Sequence, residues 1–288
     1  MILNNINEAR RFLPSLNLTL DNARFEDFFR RAQQWLVSRV IGTETESVID
    51  NCLTVGTDGP LLQLAILCQR VIAEKALYDA IPEMDMQLTE AGFAVQNNDR
   101  FAPASAQRVD RLLDTLPGRI ATDIDTLVAY LSDHTQAIEH RIGWYGSEQH
   151  KRLTSCFVPY WKEMESGLKK YRQQTEVFDY DHFYNMLRPG ANETRALAAY
   201  YISVAEYDRL LSLYRDGQLT EVQRDAVSHL KEAAIAKLAR EPRQAINEVI
   251  ECRNVMLSDP DSFPEFKASD TFTKQSVNLD GGKTVNFL

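Results

Sequence analysis

Glycine is scarce, at 12 of 288 residues, about 4% against an average near 7%. So few glycines disfavour a fold built on tight β-turns. Cysteine is sparse too. Cys52, Cys68, Cys156 and Cys252 stand singly along the chain, which excludes both the CxxC spacing of a zinc site and the cysteine density of a disulfide scaffold. No stretch reaches the roughly 18 apolar residues of a membrane span, and the first residues lack the basic-then-apolar order of a secretory leader. The expectation is a chain with no membrane association, cytoplasmic where it is made. Basic charge is also short. The formal net charge is −9, so the surface as a whole repels nucleic-acid phosphate, and no specific nucleic-acid partner is expected. Arg30-Arg31 and Lys169-Lys170 fall in helical stretches with acids nearby and read as solvated faces.

What is present is helical periodicity. With 44% hydrophobic and 25% charged residues, the composition is that of an ordinary globular chain of one or two domains. Phe25, Phe28, Phe29, Ala32, Trp35, Leu36 and Val40 recur at helical intervals. Asp58-Gly-Pro60 supplies a cap and a first-turn proline for Leu61 to Ile81, which is apolar on nearly all sides and belongs at the centre of a bundle. Pro82 is expected to end that helix. Alternation then takes over at Met84, Met86 and Leu88, a turn at Thr89 to Gly92 follows, and Phe93 and Val95 alternate again, predicting a β-hairpin at 84–96.

Helical patterns resume at Val109 to Leu116, stop at Pro117-Gly118, and continue from Arg119 to Ile142. Further helices are read at 147–157 and 159–174. After a punctuation at Arg188-Pro-Gly, others follow at Thr194 to Tyr214, at Glu221 to Ala239 behind a Thr220/Gln223 capping box, and from Pro242 to Met256. The fold class expected is mainly α: helical bundles with one small β-hairpin and extended N- and C-terminal arms. The organisation read is an N-terminal arm at 1–24, a helical unit at 25–142, a second at 147–257, and an extended or disordered tail at 258–288. The two halves suggest a duplication, but no fixed-period motif supports one.

Chemistry is harder to find. His134, His140, His150, His182 and His229 do not cluster, and a single Asp179-x-x-His182 falls short of the ligand set of a helical di-iron site. Gly281-Gly-Lys-Thr284 lacks the first glycine of a phosphate loop and any helix to follow it. Paired acids such as Asp123 and Asp125 could act as acid and base only if a cleft held them and shifted their pKa values. The sequence gives no reason to expect catalytic residues, a metal or a cofactor.

The segment Ala80-Ile-Pro-Glu-Met-Asp-Met-Gln-Leu-Thr-Glu-Ala-Gly-Phe-Ala-Val95, with Ala102-Pro-Ala-Ser105 and Arg108-Val-Asp-Arg-Leu112, resembles a family of uncharacterised proteins from phages and prophages of gut Bacteroidales. The shared pattern is a long apolar helix, an LTxxGF hairpin, and an APAS turn into a helix. The resemblance implies a head-completion protein, a head–tail connector that forms a ring on the virion and contacts the portal and the tail or stopper proteins. It would be made in the bacterial cytoplasm and then carried in the virion. The chain is longer than simple connector subunits, so an appended second helical unit is implied. On this reading Met84, Met86, Phe93 and Val95 of the hairpin and Phe263, Phe266 and Phe272 of the tail are the partner contacts. The alternative is a helical regulatory or ligand-binding protein with a pocket between its halves, lined by Trp144, Tyr145 and Trp161.

Overall fold

The computed structural model describes residues 1–13, 22–56, 59–84, 86–89, 92–95, 106–133, 143–171 and 179–272. The protein is mainly α-helical. It divides into two compact units, the first being Met1–Lys151 with Glu176–His182 and the second Arg152–Thr175 with Phe183–Leu288. The boundary read between 142 and 147 therefore falls at 151/152, and a short later stretch returns to the first unit. Asp181 explains the return: its carboxylate accepts from Trp35 Nε1 at 3.0 Å and from Arg39 Nε at 3.2 Å. A partly buried indole N–H is best satisfied by an acceptor, and this one comes from far along the chain.

The first unit is organised around α4 (Pro60–Met84), flanked by α2 (Asn22–Leu36) and α5 (Ala106–Ser132), with α3 (Gly42–Val55) also packed on it. Leu64, Cys68, Val71, Ile72 and Ala76 of α4 have no exposed surface, as the all-round apolar pattern demands. Pro82 does not end the helix. It sits in the last turn, and the helix runs on through Glu83 to Met84, so Met84 is helical rather than part of a strand. Met86–Thr89 and Gly92–Val95 form two short backbone strands, antiparallel, with Met86 opposite Val95.

Between α2 and α3 the chain makes a π-helical turn at Val37–Ile41. Trp144 donates through Nε1 to the Val40 carbonyl at 2.8 Å, which gives one carbonyl of that irregular turn a partner. Gly143 lies so close to the start of α3 that a Cβ there would come within 2.6 Å of the Thr45 backbone nitrogen.

Residues 1–13 are not an extended arm. Asn5 caps α1 (Ile6–Ala9) by accepting from the N–H groups of Asn7 and Glu8, and Ile2, Leu3, Ile6, Ala9 and Leu13 are buried. The backbone of Ile2 is held by two buried amides: its N–H donates to Gln33 Oε1 at 2.8 Å, and its carbonyl accepts from Gln69 Nε2 at 2.9 Å. The part of that arm from 14 to 21 lies outside the described residues.

Pro117-Gly118 does not divide α5 either. Leu116, Ile120 and Ile124 keep one buried stripe across the proline, and burial of that stripe outweighs the cost of the missing backbone bond. In the second unit α8 (Tyr180–Tyr201) likewise runs through Pro189, with Leu187, Thr194 and Ala198 buried on both sides of it. The break read at 188–192 lies instead at Ser203, whose side chain accepts from Glu206 N–H and starts α9 (Val204–Arg215).

α6 (Glu148–Leu153) and α7 (Trp161–Lys170) are shorter than the periodicity suggested. α10 (Glu221–Leu238) starts at the capping box of Thr220 and Gln223 and packs along α11 (Pro242–Ser258). The chain from Asp259 to Phe272 is folded, which corrects the reading of a tail beginning at Ser258. A 3₁₀ turn at Pro260–Ser262 and α12 (Pro264–Lys267) carry Phe263 and Phe266 into the core of the second unit. Two large rings with no exposed surface cannot be anchors held ready for a partner. The remainder from 273 on lies outside the described residues.

Candidate functional site

Two i,i+4 pairs build the main cleft of the first unit. Arg70 and Glu74 are one turn apart on α4, Arg119 and Asp123 one turn apart on α5, and that spacing puts each pair on one helix face. Read singly, each pair looks like an ordinary intrahelical ion pair. The structure pairs them across the helices instead: Arg119 Nη2 bonds Glu74 Oε1, and Arg70 Nη1 stands 3.7 Å from Asp123 Oδ1. The cleft they line, about 620 Å³, is completed by Arg11 and Phe12 after α1 and by Thr115, Gly118 and Thr122 of α5. Thr115 and Thr122 donate to the carbonyls of Leu112 and Gly118. A Cβ on Gly118 would meet nothing within 4 Å, so this wall is open.

Glu74 sits at the base of the arrangement. Its side chain is 3% exposed, and its Oε2 has no hydrogen-bond partner among the described residues. Burial, and then the nearby Asp123 carboxylate, push its carboxyl up to about 7, against the opposing pull of Arg119. A protonated Glu74 can donate toward Asp123, which gives the orphaned oxygen a role. Arg119 and Arg70 are about half exposed, so their guanidiniums lie over the buried acid at the mouth.

The side chains of Met84, Met86, Phe93 and Val95 lie outside what the structure describes. Phe263 and Phe266 are core residues of the second unit, and Phe272 packs edge-on to Phe266 at 5.5 Å. Trp144 and Trp161 are each buried in their own unit, while Tyr145 stacks on His150 at 4.8 Å. Asp179-x-x-His182 is a helix cap, with Asp179 accepting from the His182 N–H at 2.7 Å. His229 pairs with Glu248 at 2.9 Å. His134, His140 and the Gly281 motif lie outside the described residues.

Residues 33–140 match the model of a family of unknown function, DUF6712. That stretch holds Arg70, Glu74, Arg119 and Asp123 as well as both strands; Arg11 and Phe12 precede it. No curated protein and no solved structure matches the chain.

Sequence reasoning found Asp123 but paired it with Asp125, its neighbour in sequence rather than in space. The overlooked signal was Glu74, an acid within a helix otherwise apolar on nearly every side. Such a residue has to find a partner or a proton.

Proposed function

We propose that the chain is a structural component of a tailed-phage particle, a head–tail connector that self-associates and contacts portal and tail or stopper proteins, with no catalytic step of its own. The observation that carries this reading is the strand pair at Met86–Thr89 and Gly92–Val95, set between α4 and α5 inside the family-matched stretch. A two-stranded hairpin is marginally stable alone in water, and its outer edges can take a further strand from another chain. The hairpin side chains, Met86, Phe93 and Val95 above all, are the contacts on this reading. Phe263 and Phe266 take no part in it. The protein would be made in the bacterial cytoplasm and carried in the virion.

The test is mass in solution, by light scattering or native mass spectrometry, for the chain alone and mixed with a purified portal protein of a tailed phage. A ring or a portal complex that Phe93→Asp abolishes, with the melting temperature of the dilute protein unchanged, supports the reading. A monomer at every concentration that ignores portal refutes it.

A further inference from the structure

We propose that the cleft between α4, α5 and the end of α1 binds a phosphate-type oxyanion carried by a small organic molecule, and that Glu74 takes up a proton as it binds. This goes beyond the assembly reading and does not depend on it. Arg11, Arg70 and Arg119 line the cleft against two acids, Glu74 and Asp123, a local excess of positive charge on a chain whose net charge is −9. Most of their donors have no acceptor among the described residues. Arg119 commits Nη2 to Glu74, Arg70 approaches Asp123 only at 3.7 Å, and Arg11 makes no ion pair among the described residues. A guanidinium offers five N–H donors, and an oxyanion with several terminal oxygens can accept from three guanidiniums where a carboxylate has only two oxygens to give. At about 620 Å³ the cleft is of small-molecule size, with room beyond the oxyanion for an organic part against Phe12.

Glu74 supplies the coupling. Its carboxyl is buried, one of its oxygens has no partner, and the groups acting on it are Asp123 and Arg119 of α5. A dianion at the mouth adds negative charge and draws Arg119 away from it, and both changes favour the protonated acid. One proton moves from solvent to the Glu74 carboxylate, and no other bond is made or broken. Because that carboxyl already sits near neutrality, an ordinary buffer suffices to reveal the uptake.

The experiment is isothermal titration of the full chain with sulfate, a tetrahedral dianion that does not titrate near neutrality. It is run at about pH 7 in two buffers of different ionisation enthalpy. The expected result is a saturable isotherm whose heat depends on the buffer, reporting a fraction of a proton taken up per sulfate, with phenyl phosphate binding more tightly. Glu74→Gln should keep binding and lose the buffer dependence. Arg11→Gln with Arg70→Gln should weaken binding about tenfold or more at an unchanged melting temperature. Gly118→Leu should block the cleft without removing a charge. Absent saturable binding, or binding equal to the parent in the arginine and Gly118 variants, overturns the site. Phenyl phosphate binding no tighter than sulfate overturns the organic ligand, and buffer-independent heat in the parent overturns the proton coupling.

Discussion

Glu206 accepts a hydrogen bond from the backbone N–H of Phe266 at 3.0 Å through a carboxylate with no exposed surface. The same oxygen takes the N–H of Glu265, so one buried acid caps the short helix α12, while Arg209 balances its charge at 3.0 Å. Arg209 and Gln223 also donate to the Ser262 carbonyl. The segment after Ser258 is thus secured by polar contacts as well as by its rings.

Removing residues 259–288 should therefore lower the melting temperature sharply. Phe266→Ala should cost about 3–5 kcal/mol as a large-to-small core change, and Glu206→Ala about 1–3 kcal/mol for the orphaned N–H groups. Urea denaturation of the three variants checks this. Melts matching the parent would return the segment to the status of a loose tail.

Stability should fall as pH rises from about 4.5 to 7 through Glu74. Its folded-state carboxyl is raised from the ordinary value, so the native state holds a proton that the unfolded chain has released. The contribution is fully present below the unfolded value and is lost by about 7, at most about 3 kcal/mol. Glu74→Gln should flatten this part of the profile, and denaturation midpoints across the range provide the measurement. A variant profile parallel to that of the parent would contradict it.

Two glycines should respond in opposite directions to alanine. At Gly143 the new methyl would press on backbone atoms of Glu44 and Thr45 that cannot swing aside, which predicts a loss of more than about 2 kcal/mol. At Gly118, inside α5, there is open space, which predicts a gain of about 0.5–1 kcal/mol from helix propensity. Thermal melts of both variants decide it, and equal signs would mean that one of the two local geometries is wrong.

Gln69→Leu should destabilise the first unit by about 1–3 kcal/mol, because the carbonyl of Ile2 would be left without its donor in a buried place. Gln33→Leu should act alike on the N–H. If the N-terminal segment opens rather than endure the loss, hydrogen exchange at Leu3 and Ile6 will rise far ahead of global unfolding.

The helices were largely legible in the sequence, and their ends were not. Apolar spacing located α2, α4, α10 and α11, because burial of one face is what their sequences encode. Pro117 and Pro189 misled because a local rule about backbone bonds was weighed without the buried stripe that continues past each of them, and Pro82 because a last helical turn can run on past a proline. Phe263 and Phe266 looked unattached because their partners, among them Tyr207 and Met256, stand on helices that no short window includes. The cleft was hidden for a related reason. Arg70/Glu74 and Arg119/Asp123 each satisfy an intrahelical spacing, and only the packing of α4 on α5 exchanges their partners.

The bond from Trp35 to Asp181 spans 146 positions, and it sets a timetable for synthesis. A chain emerging from the ribosome from its N-terminus offers α2 long before residues 179–182 exist, so the first unit cannot close until Arg152–Thr175 of the second has also been made. Contacts of that separation carry a loop-closure penalty that local helices do not, and they form late. Until then the indole of Trp35 lacks the Asp181 acceptor, and a nascent chain paused before residue 182 is the species most open to chaperones and to mispairing.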